Sequence, residues 1–435
     1  MAMWHDHPDA RNVPSAHVVT AHASEVVVVA AVAGYALNCV LNIIGARILS
    51  ATDYGAFGAA VSMVAIICTI ATLGLEKCAL RLLPEYVDLK SQSMTKGYIV
   101  FGVTISVCVG ACAAVGAFVI YDSVRAHDVS LDALAHMLWF VPAMALFLFA
   151  IEVATALGSW MGSTVVYRIL LPASAAGAVA ASALFDSTPT LREVINMYGL
   201  AWVAALVVMI VIVLRRLPTL ALRATSLYAS KDWLTQGVGY LGFSLIMTIF
   251  TQGAIVVLEV VRGDRVGVGM VAAAMQVAGF VIIAQTATMR IYGPQLARLI
   301  ARGDAHNERM LLRSRGRFMI VVCGAFFAVI VLFGHDLLAL FGEQYRAAYP
   351  MLVTLAIGNC INTLLGFAPS ILQYHGAHRL TITIAAVGTT LALLAMAVAA
   401  HVGTSLEVTY AYSISLTAMY IAFQVAAMRR VWLVK

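Results

Sequence analysis

Residues 52–63, TDYGAFGAAVSM, contain the junction between two long apolar segments, and Asp53 is the only charged residue among them. The segments, residues 26–46 and 54–75, contain no Asp, Glu, Lys or Arg. A helix needs about 20 residues to cross the hydrocarbon core of a membrane. The stretch therefore predicts a tight turn between two antiparallel membrane helices.

The composition extends this prediction to the whole chain. Of its 435 residues, 62% are hydrophobic and 11% are charged, and the mean hydropathy is +0.93. A soluble domain contains about 25% charged residues. Because a backbone in lipid must satisfy its own hydrogen bonds, we predict an all-α integral membrane protein.

Apolar segments elsewhere in the chain predict further membrane helices. Together with one segment that contains Arg168, they give about twelve transmembrane helices. The predicted helices lie at residues 26–46, 54–75, 97–121, 133–151, 164–185, 194–214, 233–258, 266–289, 318–335, 347–378, 380–406 and 408–428. Pro142, Pro172, Pro350 and Pro369 are candidate bends in these helices.

The distribution of Lys and Arg predicts the orientation, because cytoplasmic loops carry an excess of both residues. With the N-terminus in the cytoplasm, all but six of the 27 Lys and Arg lie on the cytoplasmic side. The exceptions are Arg47, Arg125, Arg192, Arg262, Arg265 and Arg346. We therefore expect both termini in the cytoplasm and the turn at Asp53 outside the cell.

The twelve helices divide into two pseudo-symmetric six-helix bundles. Gly34-Tyr35 recurs as Gly239-Tyr240, and DYGAFGAAVSM from Asp53 is echoed by DRVGVGMVAAAMQ from Asp264. Both sets begin on the same side, so the repeat is parallel. We expect a cytoplasmic tail at 1–25, bundles at 26–214 and 233–428, a basic cytoplasmic linker at 215–232, and a tail at 429–435.

Several classes of function are excluded. The net charge of +6 reflects the membrane topology and contact with anionic lipids, not nucleic-acid binding. The seven cysteines lack metal-ligand spacing, so we expect neither a metal site nor a cofactor. His375 and His378 are expected to be solvated in a cytoplasmic turn. No segment outside the membrane is large enough for an active site, so the protein is not expected to be an enzyme.

Two polar stripes interrupt the apolar helices. Asn38 and Asn42 lie four residues apart in helix 1, and Thr248 and Gln252 have the same spacing in helix 7. Residues at i and i+4 share one helix face. The stripes either line a hydrated cavity between the bundles or hydrogen-bond neighbouring helices without any substrate.

Charged residues deep in a membrane helix require a partner or a function. Glu152 and Arg168 lie equally far from the turn at Trp160, so they reach the same depth. They form either a structural ion pair or a site in which Arg168 binds an anionic group of a substrate and Glu152 holds Arg168 or exchanges a coupling proton. Arg47 either pairs with Asp53 or forms an outward-facing anion site.

Basic residues also cluster at the cytoplasmic end of helices 2 and 8. Lys77, Arg81 and Arg290 either anchor these helices at the membrane surface or form a rim that attracts an anionic lipid.

Four segments resemble a known family: GARILSATDYGAFGAAVSM (45–63), LGLEKCALRLLPEY (73–86), LFGEQYRAAYPMLVTLAIGNCIN (340–362) and QYHGAHRLT (373–381). They are similar to the polysaccharide-transport, Wzx-type flippases of the multidrug/oligosaccharidyl-lipid/polysaccharide exporter superfamily. The resemblance extends from about residue 26 to 428.

This resemblance implies a V-shaped cavity between the bundles that opens alternately to each side of a bacterial inner membrane. The implied substrate is an oligosaccharide on undecaprenyl pyrophosphate, moved for the synthesis of O-antigen, capsule or exopolysaccharide. Membrane lipids and a polysaccharide polymerase or glycosyltransferases are the implied partners. The alternatives are a Na+- or H+-coupled multidrug exporter of the same superfamily and a membrane scaffold for a polymerase.

Overall fold

The computed structural model describes residues 21–124, 129–185, 189–217 and 223–433. The first 20 residues of the predicted N-terminal tail, the last two residues of the C-terminal tail and part of the predicted linker lie outside this range. All regular secondary structure among the described residues is helical, as predicted for an all-α protein.

Among the described residues, the first half contains these α-helices: α1 (Ala21–Ile48), α2 (Ala51–Ala71), α3 (Leu75–Asp88), α4 (Gln92–Val124), α5 (Val129–Leu138), α6 (Val141–Ala156), α7 (Trp160–Val165), α8 (Leu171–Phe185) and α9 (Leu191–Arg216). The described part of the second half contains α10 (Ser230–Val257), α11 (Arg265–Ala278), α12 (Phe280–Ala301), α13 (Ala305–Ala339), α14 (Tyr349–Leu365), α15 (Ala368–Tyr374), α16 (His378–Val402) and α17 (Ser405–Leu433).

These helices account for the predicted number of membrane spans. Within the described ranges, ten continuous helical segments are long and apolar enough to cross a membrane, and the number is twelve if each of two bent pairs forms one span. The bent pairs are α5 with α6, at 55°, and α11 with α12, at 43°. They correspond to the spans at 133–151 and 266–289, each of which was predicted to be one continuous helix.

Two of the four predicted prolines follow helix breaks. Pro142, Pro350 and Pro369 lie in the first two positions of α6, α14 and α15. A break precedes Pro142 and Pro369, whereas α14 directly follows a 3-10 turn, Glu343–Ala348. Pro172 is the second residue of α8, which continues without a break from the π-helical segment Val166–Leu170. Proline lacks an amide hydrogen and is tolerated in a first turn, which fits its place at the start of each helix.

Helix 2 ends earlier than predicted. The structure terminates α2 at Ala71, and the chain turns at Gly74, whose φ of +71° favours glycine. A Cβ at Gly74 would also collide with the carbonyl oxygen of Gly237. The separate helix α3 follows and carries Glu76 and Lys77 in its first turn.

The two halves pack mainly within themselves. Their principal contacts with each other come from α1, α2 and α3 on one side and α10, α11 and α12 on the other. Many large apolar side chains remain exposed, including Leu332 and Val402. A lipid-facing surface explains this exposure, and the halves therefore behave as two bundles joined along a limited interface.

The halves are in close contact at the end predicted to lie outside the cell. A Cβ on Gly55 of α2 would collide with the carbonyl oxygen of Arg265 at the start of α11. The rings of Tyr54 and Tyr345 meet edge to face across the interface, with centroids 5.8 Å apart. These contacts close the outer end between the halves.

Candidate functional site

A cavity of about 650 Å³, here called the large cavity, lies toward the predicted cytoplasmic end. Helices α1, α2, α3, α6 and α7 of the first half surround it, with the Val166–Leu170 segment, and α10 of the second half forms the remaining wall. Its charged lining residues are Glu76, Lys77, Glu152 and Arg168. The halves touch at the predicted outer end, so in the predicted orientation this cavity lies on the cytoplasmic side of that contact.

The ion pair in the cavity differs from the predicted one. The Nζ atom of Lys77 lies 2.5 Å from Oε1 of Glu152, with side chains 43% and 20% exposed. An ion pair of Glu152 with Arg168 was one of the two alternatives, but Glu152 of α6 instead pairs with Lys77 of α3, which begins after the turn at Gly74. The two predicted residues line the same cavity, as their equal depth indicated, yet they are not partners.

Arg168 is therefore available for another anion. It lies in the π-helical segment, which packs so closely on α1 that a Cβ at Gly34 would collide with the Arg168 carbonyl oxygen. Its guanidinium carbon lies 5.3 Å from the ring centroid of Tyr167. Within the described part of the chain, Arg168 has no acidic partner. Single π-turns inside helices occur frequently at functional sites.

Glu76 is a cavity residue that the sequence analysis did not select. It is 7% exposed, and its Oε2 atom has no hydrogen-bond partner among the described residues. Burial raises the pKa of this carboxyl group above its usual range, while a hydrogen bond with Thr72 and the charge of Lys77 act in the opposite direction. Gly74 is the residue in the sequence that could have indicated a new helix beginning just before Glu76.

The polar stripe of helix 1 is divided between two roles. Asn42 Nδ2 donates to Asn38 Oδ1 at 2.9 Å, and the hydroxyl of Tyr54 donates to Asn42 Oδ1 at 3.2 Å. Asn42 thus connects α1 to α2 and lines neither this cavity nor the next. Asn38 lines a smaller cavity of about 150 Å³ that adjoins the large one.

The stripe of the predicted helix 7, which is α10 in the structure, is divided in a similar way. Thr248 lines the large cavity, and its Oγ1 lies 3.4 Å from Oγ1 of Thr69 in the other half. Gln252 is half-buried and lines neither cavity. One member of each stripe therefore lines a cavity, while the residue one turn further outward does not.

Arg47 is remote from these cavities. Its Nε donates to the carbonyl oxygen of Leu340 in the second half at 2.6 Å, near the closed outer end. The pair with Asp53, one of the two expected alternatives, does not form. The Asp53 carboxylate instead accepts from the hydroxyl of Ser50 at 2.8 Å, and Ser50 caps α2 by accepting from the backbone N–H of Asp53. Arg47 links the two halves in this arrangement.

The expected basic rim is only partly described. Lys77 lines the large cavity, whereas Arg81 is exposed on α3 and does not line it. Arg290 belongs to α12, but its side chain lies outside the described residues.

His375 is not a solvated loop residue: its Nε2 lies 3.5 Å from Oε1 of the buried Glu308. No cluster of potential metal ligands occurs in the described ranges.

Fold and site together define a polytopic membrane protein with two helical halves and a charged cavity between them. The family model described as polysaccharide biosynthesis protein matches residues 24–291. The match covers more than half of the chain, which therefore belongs to this family, as the motifs predicted. No protein with a curated description matches the sequence.

Solved structures with the same fold are transporters. An inward-facing multidrug resistance MATE family transporter of the MOP superfamily matches with a TM-score of 0.73 at 14% identity, covering 92% of this chain and 95% of that one. A MATE structure in complex with MaL6 has a TM-score of 0.65 at 13% identity, covering 94% and 96%. A MOP superfamily transporter from Pyrococcus furiosus has a TM-score of 0.58 at 12% identity, again covering 94% and 96%. These likenesses establish a MATE-like fold.

Proposed function

We propose that this protein is a flippase that moves an undecaprenyl-pyrophosphate-linked oligosaccharide across the bacterial inner membrane for surface polysaccharide synthesis. The observation that carries the proposal is the large cavity, in which Arg168 has no acidic partner among the described residues. Membership of the polysaccharide biosynthesis family supports this substrate class over a drug.

Arg168 is the residue best suited to hold the diphosphate. A guanidinium group donates two parallel hydrogen bonds to a phosphate, and the low local dielectric of a membrane cavity strengthens them. Lys77 supplies a second positive charge when a phosphate oxygen replaces the carboxylate of Glu152 as its partner. The saccharide would occupy the 650 Å³ cavity, and the prenyl chain would stay in lipid between the halves.

Transport requires the halves to alternate between two arrangements. The contacts of Gly55 with Arg265 and of Arg47 with Leu340 hold the outer end closed in the present arrangement. Substrate must bind one arrangement more tightly than the other to shift their populations. Separation of α2 from α11 would open the cavity outward, where a polysaccharide polymerase or glycosyltransferases would act on the released unit.

A second candidate function is a Na+- or H+-coupled exporter of small molecules. The buried carboxyl group of Glu76 favours this alternative, because burial raises its pKa and so favours a carboxyl group that can hold a proton. Proton coupling is compatible with the flippase as well, so Glu76 does not distinguish the two. The substrates that are moved distinguish the flippase from the exporter.

The test is transport of a fluorescent undecaprenyl-pyrophosphate-linked saccharide in proteoliposomes, compared with efflux of cationic dyes. We expect movement of the lipid-linked saccharide, at least a tenfold loss in Arg168→Ala, and partial recovery in Arg168→Lys. Arg81→Ala is the matched control, since Arg81 is exposed outside the cavity. Dye transport without movement of the lipid would overturn the flippase and support the exporter.

A further inference from the structure

The smaller cavity of about 150 Å³, here called the side cavity, adjoins the large cavity inside the first half. Residues of α1, the Val166–Leu170 segment, α8 and α9 line it. Tyr167 and Arg168 line both cavities and therefore separate them. A volume of about 150 Å³ is of the size of a single sugar ring and is too small for a chain of sugars.

The lining of the side cavity has the chemistry of a sugar site. Tyr167, Tyr198 and Trp202 contribute aromatic rings, which pack against the apolar C–H faces of pyranoses. Asn38 contributes an amide group, and its Oδ1 already accepts from Asn42, which leaves its NH2 group to donate. A few polar groups among apolar rings are typical of small-molecule sites.

Trp202 supplies the strongest indication of a ligand. Its Nε1 atom is buried and has no acceptor in hydrogen-bonding geometry among the described residues, although the Tyr198 hydroxyl lies nearby. Contacts with Phe147 and Tyr198 explain why the indole ring packs here, with centroids 5.4 and 6.3 Å away. They do not explain an unsatisfied donor, which a sugar hydroxyl oxygen would satisfy.

We propose that the side cavity binds the sugar ring attached directly to the phosphate group that Arg168 holds. This inference rests on the proposed function and assigns one part of its substrate. A single oxygen separates the ring from phosphorus in a glycosyl phosphate. A phosphate on Arg168, in the shared wall, therefore places the ring beside Trp202 and Asn38, while the remaining sugars extend into the large cavity.

Binding measurements test the assignment on the full chain in lipid nanodiscs, by calorimetry with glucose 1-phosphate, glucose and inorganic phosphate as probes. We expect glucose 1-phosphate to bind at least tenfold more tightly than inorganic phosphate. Trp202→Phe keeps an aromatic ring but removes the donor, and Asn38→Leu fills part of the side cavity. Both variants should bind the two phosphates about equally. Trp139→Phe, at an exposed tryptophan, should retain the preference.

Two outcomes would overturn the side-cavity assignment. One is equal affinity of the unmodified protein for glucose 1-phosphate and phosphate, and the other is an unchanged preference in both variants. If the variants also move the lipid-linked saccharide at the normal rate, the proposed function stands without the side cavity. Failure of the unmodified protein to move that lipid would instead count against the proposed function.

Discussion

Lys77 and Glu152 form an ion pair with a separation of 2.5 Å, which joins the start of α3 to α6 across the wall of the large cavity. Arg168 lines the same cavity and remains without an acidic partner in the part of the chain that the structure describes. The cavity thus contains one neutralised cation and one cation available to a substrate. This difference gives the two basic residues distinct expected roles.

Loss of the ion pair through charge reversal at Lys77 alone should affect transport far more than stability. A partly exposed ion pair contributes about 0–1 kcal/mol, so the melting temperature should change little. Lys77→Glu should lower saccharide transport at least tenfold by placing two carboxylates together, and the double variant with Glu152→Lys should recover part of the activity. Arg81→Glu serves as the control on α3. Equal activity of Lys77→Glu and the double variant would show that the pair is unimportant.

Glu76 should make stability decline as the pH rises. Its carboxyl pKa is raised in the folded protein from an ordinary value of 4.5, so the folded state binds more protons than the unfolded state above that pH. The melting temperature should therefore fall as the pH increases from about 4.5 through the raised pKa. Thermal unfolding in detergent across this range provides the measurement.

Glu76→Gln should remove this pH dependence and stabilise the protein at neutral pH, because a buried amide carries no charge. Glu85→Gln changes an exposed carboxylate on the same helix and should leave the dependence intact. A pH profile identical in Glu76→Gln and the unmodified protein would contradict the assignment.

Gly55 should control closure of the outer end. A side chain at this position meets the backbone carbonyl of Arg265, which has little freedom to move, and overpacking costs about 1–3 kcal/mol. Gly55→Val should therefore increase labelling of a cysteine introduced near the outer end of α11 by a membrane-impermeant thiol reagent. Gly58→Ala is the matched control, because its Cβ would lie at an ordinary 3.6 Å from Ala272. Unchanged labelling in Gly55→Val would show that this contact does not hold the closed arrangement.

Arg315 should stabilise the break between α14 and α15. Its guanidinium donates to the carbonyl oxygens of Thr363 and Leu364, each at 3.0 Å, and the residue is 3% exposed. Arg315→Met retains much of the side-chain volume but leaves both carbonyls without this donor, at about 1–3 kcal/mol for each buried group. We expect a clearly lower melting temperature, whereas Arg317→Met, at an exposed position, should change it little. Similar melting temperatures for the two variants would rule out this role.

The number of spans followed from the sequence because lipid imposes a local requirement. Each membrane segment must be apolar and must satisfy its own backbone, so segments such as 26–46 are recognisable without knowledge of their neighbours. The prolines at 142 and 369 similarly marked breaks, since the missing amide hydrogen acts within one turn of helix. The family also followed from local motifs.

The partners of charged residues did not follow from local patterns. Equal depth suggested Glu152 with Arg168, but depth does not determine which helix faces which. The turn at Gly74 sets the direction in which Lys77 faces relative to α6, and the π-helical segment sets the direction of Arg168. Both features depend on packing, against Gly237 and Gly34 respectively.

Sequence alone was therefore sufficient for an all-helical membrane protein with ten to twelve candidate spans among the described residues, because hydrophobic length and backbone hydrogen bonding are properties of single segments. Tertiary packing decided that Lys77 binds Glu152, that Glu76 is buried and that Arg168 lies in the wall between two cavities. Such relationships depend on the rotation and separation of helices far apart in the chain, which steric contacts between the helices determine.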